Sequence, residues 1–337
     1  MALLEIRDLK VVFTRRDKAP VHAVDGLNLD VDRGQTVGLV GESGCGKSVT
    51  SLAILGLLPT RGVEVSGTIT FDGEDLLTMS DTRRREVRGR DIAMIFQDPM
   101  TSLNPVLRVG VQLTETLRRH RGMSTGEARV EAQRLLEQVG IPAARQRLGE
   151  FPHQLSGGMR QRVLIAIALA CSPKMLIADE PTTALDVTVQ AQILDLLRTH
   201  VADSATALVM ITHDMGVVAG ICDEVSVMYA GRRIEAARCY PLFEDPRHWY
   251  TKGLLASAPT LERPRADRLS PIPGSAQDRI PWAQGCAFAP RCPAVTADCL
   301  AGPPPMVSVD DTHQHRCVNP AQPHSGPAPA DKELMSP

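Results

Sequence analysis

Aromatic residues make up only 3% of this 337-residue chain, which leaves few flat platforms on which bases could stack. An excess of basic charge is also missing. Lys and Arg number 37 against 39 Asp and Glu, for a formal net charge of −2, so no overall field draws the chain onto a polyanion. Both shortages argue against nucleic acid as a partner. No apolar run is long enough to cross a bilayer. The longest, residues 49–58 and 163–178, are short, and Ser172, Pro173 and Lys174 interrupt the second. The opening residues, MALLEIRDLK, carry acids and no signal-peptide pattern. These absences set the expectation of a cytosolic protein that meets a membrane only through a partner. The remaining composition, 43% hydrophobic and 23% charged, is ordinary for a globular chain. The length suits one large domain with an appendage, or two domains.

The strongest pattern present is residues 41–48, G-E-S-G-C-G-K-S, which fits the phosphate-cradling order of Gly, four residues, Gly, Lys and Ser. Its setting fits as well. Residues 36–40 (TVGLV) are short, apolar and β-branched, as in a buried strand, and residues 49–58 are apolar and stop at Pro59, as in a helix. Gly41, Gly44 and Gly46 allow a tight curl with amide hydrogens turned inward. The following helix adds the positive end of its dipole. Lys47 carries a charge suited to the β- and γ-phosphates, and the Ser48 hydroxyl suits Mg²⁺, a hard ion that prefers oxygen.

Residues 3–13 and 21–31 read as strands of an antiparallel layer, with a charged turn from Thr14 to Pro20 between them. Gly67–Phe71 reads as another strand. The basic run Arg83, Arg84, Arg85, Arg88 and Arg90 reads as a solvated helix face. A short apolar strand, 92–96, ends at Gln97-Asp98-Pro99. Residues 108–170 read as mainly helical. Within them Leu155-Ser156-Gly157-Gly158 precedes a long helical stretch, with Ser156 as its N-cap and a second possible anion site. Another apolar strand (KMLIAD, 174–179) ends in the adjacent acids Asp179 and Glu180. After a phosphate loop, one such acid can hold Mg²⁺ and the other can polarise an attacking water. The strand 207–212 delivers His213 at the sheet edge where open α/β sheets bind ligands. Strands and helices alternate through this body, so a largely parallel sheet is expected.

Beyond about residue 255 the character changes. Pro259, Pro264, Pro271, Pro273 and Pro281 break the chain into a loop-rich appendage, and from about residue 320 it turns rich in Pro, Ala and Ser, a composition of disordered tails. Cys45, Cys171, Cys222 and Cys239 are scattered, whereas Cys286, Cys292, Cys299 and Cys317 lie close together. In a reducing compartment such clustering points to metal before disulfides. The two-to-four-residue pairs common at structural zinc are absent, and four thiolates suit a cubane cluster equally well.

Taken together, these motifs closely resemble, in order and spacing, an ATP-binding cassette ATPase over roughly residues 3–250. Gly41–Ser48 resembles its Walker A loop, Gln97 the Q-loop glutamine and Leu155–Gly158 the signature motif. Asp179 resembles the Walker B aspartate and Glu180 the catalytic glutamate. Ala184-Leu185-Asp186 resembles the D-loop, and His213 the switch histidine. The runs FQDPMTSLNP, LSGGMRQRV, ADEPTTALDVTVQAQI, ITHDMGVVAGICD and, in the appendage, Ile272-Pro273-Gly274 and GCAFAPRCP resemble the oligopeptide/dipeptide permease subfamily.

That resemblance implies a fold class: an α/β P-loop nucleotide-binding domain at 1–255, with a mixed β core, an antiparallel β subdomain and a helical subdomain at about 98–168. A small appendage at 256–320 and a disordered tail at 321–337 would follow. It implies ATP bound by Gly41, Glu42, Ser43, Gly44, Cys45, Gly46, Lys47, Ser48 and Val49, with Phe13 either stacked on the adenine or part of the core. It implies Mg²⁺ at Ser48, Gln97 and Asp179. Glu180 would act as base, His213 would hold the γ-phosphate, and Gln97 would contact the ion or the attacking water. Ser156, Gly157 and Gly158 would serve ATP held by a second, homologous ATPase chain, expected to be a different subunit. Cys286, Cys292, Cys299 and Cys317 would hold a [4Fe–4S] cluster in preference to zinc. The implied function is to power di- and oligopeptide uptake from the cytoplasmic face of the cell membrane, with two integral permease subunits and, indirectly, an extracytoplasmic peptide-binding protein. Nickel or another solute is the alternative cargo. A soluble cassette protein of translation or repair is the alternative class, but it would usually carry two cassettes or long coiled-coil insertions, and this sequence has neither.

Overall fold

The computed structural model describes residues 2–16, 18–183, 185–257, 272–274 and 284–322. Its strands are β1 (Leu4–Arg15), β2 (Lys18–Val31), β3 (Thr36–Val40), β4 (Val63–Phe71), β5 (Glu74–Asp75), β6 (Ile92–Ile95), β7 (Met175–Asp179), β8 (Ala207–Thr212), β9 (Glu224–Tyr229), β10 (Arg232–Arg238), β11 (Val307–Ser308) and β12 (Gln314–His315). Its α-helices are α1 (Lys47–Ile54), α2 (Asp81–Val87), α3 (Pro99–Ser102), α4 (Val109–Arg121), α5 (Thr125–Gln138), α6 (Ala144–Arg147), α7 (Gly157–Leu169), α8 (Val187–Ser204), α9 (Met215–Ile221), α10 (Cys239–Glu244), α11 (Trp249–Ser257) and α12 (Asp298–Ala301).

The strands form two sheets. One is antiparallel, in the order β2-β1-β4-β5; the other runs β11-β12-β10-β9-β3-β8-β7-β6. Within the second, β9, β3, β8, β7 and β6 are mutually parallel, as the alternation of strands and helices predicts. β3, β7 and β8 are buried along their whole length, which explains their unbroken apolar sequences. Their side chains alternate between two cores. Met175 and Ile177 of β7 face a core shared with β1, β2 and α1, while Leu176 and Ala178 face the helices α4, α5, α7 and α8. The sheet is thus a septum with the antiparallel layer on one side and helices on the other.

The charged stretch from Thr14 to Pro20 differs from the sequence expectation of a long turn. β1 continues to Arg15, which pairs with Lys18 of β2. On its other edge Phe13 pairs with Val63 and the Thr14 N–H donates to the Gly62 carbonyl. Ladders on both edges keep the backbone extended where the side chains alone suggest a loop. The basic run behaves as expected of a surface helix. Arg83 pairs with Glu74 and Glu86, Arg84 with Asp81, and Arg88 donates to the Gly56 carbonyl.

The described part of the appendage is sewn into the body in a way the sequence does not reveal. β12 pairs with β10, extending the large sheet. Phe288 lies in the core beside Tyr229 and Tyr250. Glu235 of β10, fully buried, accepts from the backbone N–H groups of Arg247 (2.6 Å) and His248 (2.9 Å) and is hydrogen-bonded to His313 Nε2 at 2.8 Å. Burial raises the Glu235 pKa, but the bonds from His313 and the two amides help to outweigh it and the net shift is downward. Removing that carboxylate strands several buried donors, which costs about 3 kcal/mol. Glu235→Ala is therefore expected to lower the urea midpoint accordingly and to strip hydrogen-exchange protection from residues 313–317. An unchanged midpoint would contradict this account of how the appendage is held.

Candidate active site

Because β3, β6, β7 and β8 are parallel, their C-terminal ends share one edge, and each carries one of the residues singled out from sequence. Val40 pairs with Thr212, Asp179 with Ile211 and Ile95 with Ala178. Gly41, His213, Glu180 and Gln97 therefore emerge from adjacent strands. This is the edge where open α/β sheets bind ligands.

The loop after β3 closes only because of its glycines. Gly41 has φ +150 and Gly46, the N-cap of α1, has φ +104. A Cβ at Gly41 would overlap the carbonyl oxygen of Met228, and one at Gly46 that of Ala23. Lys47 opens α1 and is only 5% exposed. Its Nζ donates to the carbonyls of Gly41 at 2.6 Å and Glu42 at 3.1 Å and lies 3.6 Å from Cys45 Sγ. The ammonium is thus turned into its own loop, ringed by oxygens that a phosphate can replace. No acid sits in the first turn of α1, so the dipole end stays unneutralised there. Burial pushes the Cys45 thiol up despite the neighbouring Lys47, which keeps it protonated and a poor nucleophile.

Asp179 closes β7 and is 5% exposed. Burial raises its pKa against a hydrogen bond from Ser48, and its Oδ1 is buried without a partner. An orphaned carboxylate oxygen beside a hydroxyl is a fitting pair of oxygens for Mg²⁺. Glu180 follows with φ +47, a left-handed backbone that is costly for any residue with a Cβ and recurs at functional sites. Its Oε2 accepts from Gln97 Nε2 at 2.8 Å and Thr183 Oγ1 at 2.9 Å, and its Oε1 lies 3.0 Å from His213 Nδ1. Burial raises the Glu180 pKa, but the bonds from His213 and Thr183 bring it below the usual value. The structure thus brings Gln97, Glu180 and His213 into one hydrogen-bonded set.

Ser156 caps α7, its Oγ accepting from the Met159 N–H at 3.3 Å. Space beside Gly157 is open, while a Cβ at Gly158 would come within 2.9 Å of Val189 of α8. The helix is tied to the acidic strand by Gln161, whose Nε2 donates to the Pro181 carbonyl at 2.7 Å. Among the described residues, Ser156, Gly157 and Gly158 make no hydrogen bond to the 41–48 loop. Phe13 is half-buried against the core. It pairs with Val21, two residues before the Ala23 that abuts Gly46. Leu185 and Asp186 lead into α8, with Asp186 as N-cap accepting from the Val189 N–H at 2.9 Å; Ala184 lies outside the described residues.

Two contacts to the loop escape sequence reasoning. The Glu42 N–H donates to the Tyr250 hydroxyl at 2.7 Å. The Glu42 carboxylate receives Arg291 in two parallel bonds of 2.6 and 2.8 Å. Partners so far apart in the chain leave no local signal. In the appendage, Cys286, Cys292, Cys299 and Cys317 line one cavity together with His248 and Trp249. Burial pushes the Cys286 and Cys292 thiols up and that of Cys317 to about 11. Among the described residues no three His, Cys, Asp or Glu side chains are arranged to hold a metal ion.

Residues 24–183 match the family model described as ABC transporter, and residues 234–299 match that of the oligopeptide/dipeptide transporter C-terminal region. The chain is 51% identical to the oligopeptide transport ATP-binding protein OppD of Salmonella typhimurium, over 90% of this chain and 89% of that one. It is 48% identical to OppD of Bacillus subtilis, over 99% and 94%. Among solved structures, the dimeric, post-hydrolysis ATP-binding cassette MJ0796 bound to ADP and Pi aligns with a TM-score of 0.63 at 26% identity, covering 70% of this chain and 98% of that one. With that fold as context, Gly46→Ala should drive the loop away from Ala23 and weaken Mg-ATP binding at least tenfold (about 1.4 kcal/mol or more) by isothermal titration. Undiminished affinity in a folded variant would contradict the loop geometry.

Proposed function

This chain belongs to the ATP-binding cassette ATPases of the oligopeptide/dipeptide transporter type, and we propose that it hydrolyses ATP to drive peptide uptake as a peripheral subunit on the cytoplasmic face of a membrane importer. The observation that carries this reading is the convergence of Lys47, Asp179, Glu180, Gln97 and His213 on one sheet edge, in a chain about half identical to named peptide-transport ATPases. Among the described residues no helix is long and apolar enough to cross a membrane, so coupling to transport calls for integral permease partners.

Each residue has a role that its surroundings suit. The amides of Gly41–Val49 and the Lys47 ammonium bind the β- and γ-phosphates, Lys47 exchanging the carbonyls of Gly41 and Glu42 for phosphate oxygens. Ser48 and the free oxygen of Asp179, with Gln97, are the oxygen donors for Mg²⁺, which neutralises charge on the phosphates when bound. Glu180 orients the attacking water and receives its proton, and Gln97 and His213 hold the Glu180 carboxylate in one rotamer until ligand claims them. Its lowered pKa makes it a modest base. That is enough, because phosphoryl transfer depends mainly on positioning and charge neutralisation. Phe13 is the candidate adenine platform. Ser156, Gly157 and Gly158, at the N-terminus of α7, are the groups that would face the nucleotide of a second ATPase chain. The body then comprises residues 1–255, with its helical subdomain at about 98–168, and the appendage residues 256–320; the tail lies almost wholly outside the described residues.

The four cysteines suit a [4Fe–4S] cluster. All four line one cavity, and four thiolates are a common ligand set for such a cluster. A cluster bound there would act as a structural staple of the appendage. Anaerobic purification should give brown protein with iron and sulfide, lost in Cys292→Ala; zinc without iron would overturn this assignment.

Glu180→Gln, assembled with its membrane partners, is expected to retain Mg-ATP binding and lose at least about 100-fold in turnover. Wild-type turnover would remove Glu180 as base. Native protein that sediments with ribosomes or DNA and never with membranes would remove the importer reading.

A further inference from the structure

Arg291 lies in the short turn between Cys286 and Cys292, yet its guanidinium reaches into the main body and ends at the phosphate loop. The side chain is 3% exposed. Its Nη1 donates to Glu42 Oε2 at 2.6 Å and its Nη2 to Glu42 Oε1 at 2.8 Å. The remaining N–H groups are spent on the Tyr229 hydroxyl and the carbonyls of Ile272, Pro273 and Gly274. All donors of the fork are thus used, on Glu42, Tyr229 and the segment 272–274. Such a bond pair is a rigid strut and differs in kind from a surface ion pair.

The residue at the other end of the strut is held at every polar atom. The Glu42 N–H goes to Tyr250, and its carbonyl accepts from Lys47 Nζ at 3.1 Å and from the Cys45 N–H at 3.3 Å. The side chain gripped by Arg291 and the carbonyl that seats Lys47 thus belong to one residue of the loop. The catalytic set of Gln97, Glu180 and His213 stands on other strands and does not touch the strut.

We infer that Arg291 is a positioning residue for the phosphate loop: the docked appendage, through the Arg291–Glu42 strut, sets the affinity of the loop for nucleotide. The inference rests on the reading of residues 41–48 as the nucleotide site. A preordered loop avoids the ordering cost that a free loop meets on binding, so the appendage acts on affinity and not on the chemical step. An appendage that undocks leaves a loop that binds ATP weakly.

The test uses the full transporter with wild-type chain, Glu42→Gln, Arg291→Gln and the double variant, measuring Mg-ATP Kd together with KM and kcat. Glu42→Gln is the deciding variant, because it removes the charge and one of the two parallel bonds of the strut and leaves Arg291 on Tyr229 and the three carbonyls. It is expected to raise Kd and KM about tenfold with kcat within about twofold. The double variant is expected to be no worse than Glu42→Gln alone, since both changes remove one interaction. Unchanged Kd and KM in Glu42→Gln would overturn the inference while leaving the nucleotide site intact, as would a loss confined to kcat or effects that add in the double variant. A wild-type protein that bound no Mg-ATP at millimolar concentration would overturn the nucleotide-site reading, and this inference with it.

Discussion

A buried ammonium has to be matched by oxygen, and the match at Lys47 governs the rest of this molecule. Removing a charge from water is tolerated only when hydrogen-bond acceptors surround it. Here they are carbonyls of the same loop, Gly41 and Glu42. The loop can place them there because glycines at 41 and 46 take backbone angles closed to other residues and pass within contact of Met228 and Ala23. The charge is thereby stored at the head of α1, in a setting where phosphate oxygens make better partners than carbonyl dipoles.

The parallel sheet converts that local arrangement into a site. Register alone brings Asp179, Glu180, His213 and Gln97 to the level of the loop, each at the end of a strand of the covered sheet. Two features of the acids mark them as poised. Asp179 keeps one buried oxygen without a partner, and Glu180 sits on a left-handed backbone with its carboxylate held by three side chains. Neither is explained by stability, since both cost free energy that an ordinary strand end avoids.

Much of this architecture is legible in the order of the residues alone. The phosphate loop, the two acids and the Ser156 cap are local patterns whose residue types dictate their own geometry, and apolar runs of five or six residues are what a doubly covered strand requires. The turn read across Thr14–Pro20 is shorter than the sequence suggests, because β1 runs on to Arg15 and β2 begins at Lys18, leaving the turn at Arg16. The strut from Arg291 to Glu42 and the hydroxyl of Tyr250 are illegible for a related reason: their partners are brought together only by the completed fold. The same holds for Glu235, whose buried network with His313 ties the appendage to β10.

The central claim is that Lys47 exchanges its own loop's carbonyls for the phosphates of ATP. A structure of the Glu180→Gln variant loaded with Mg-ATP tests it through one distance, from Lys47 Nζ to the nearest phosphate oxygen. The account expects about 3 Å, with the Gly41 and Glu42 carbonyls released. A nucleotide bound elsewhere, with Lys47 still seated on both carbonyls, would contradict it.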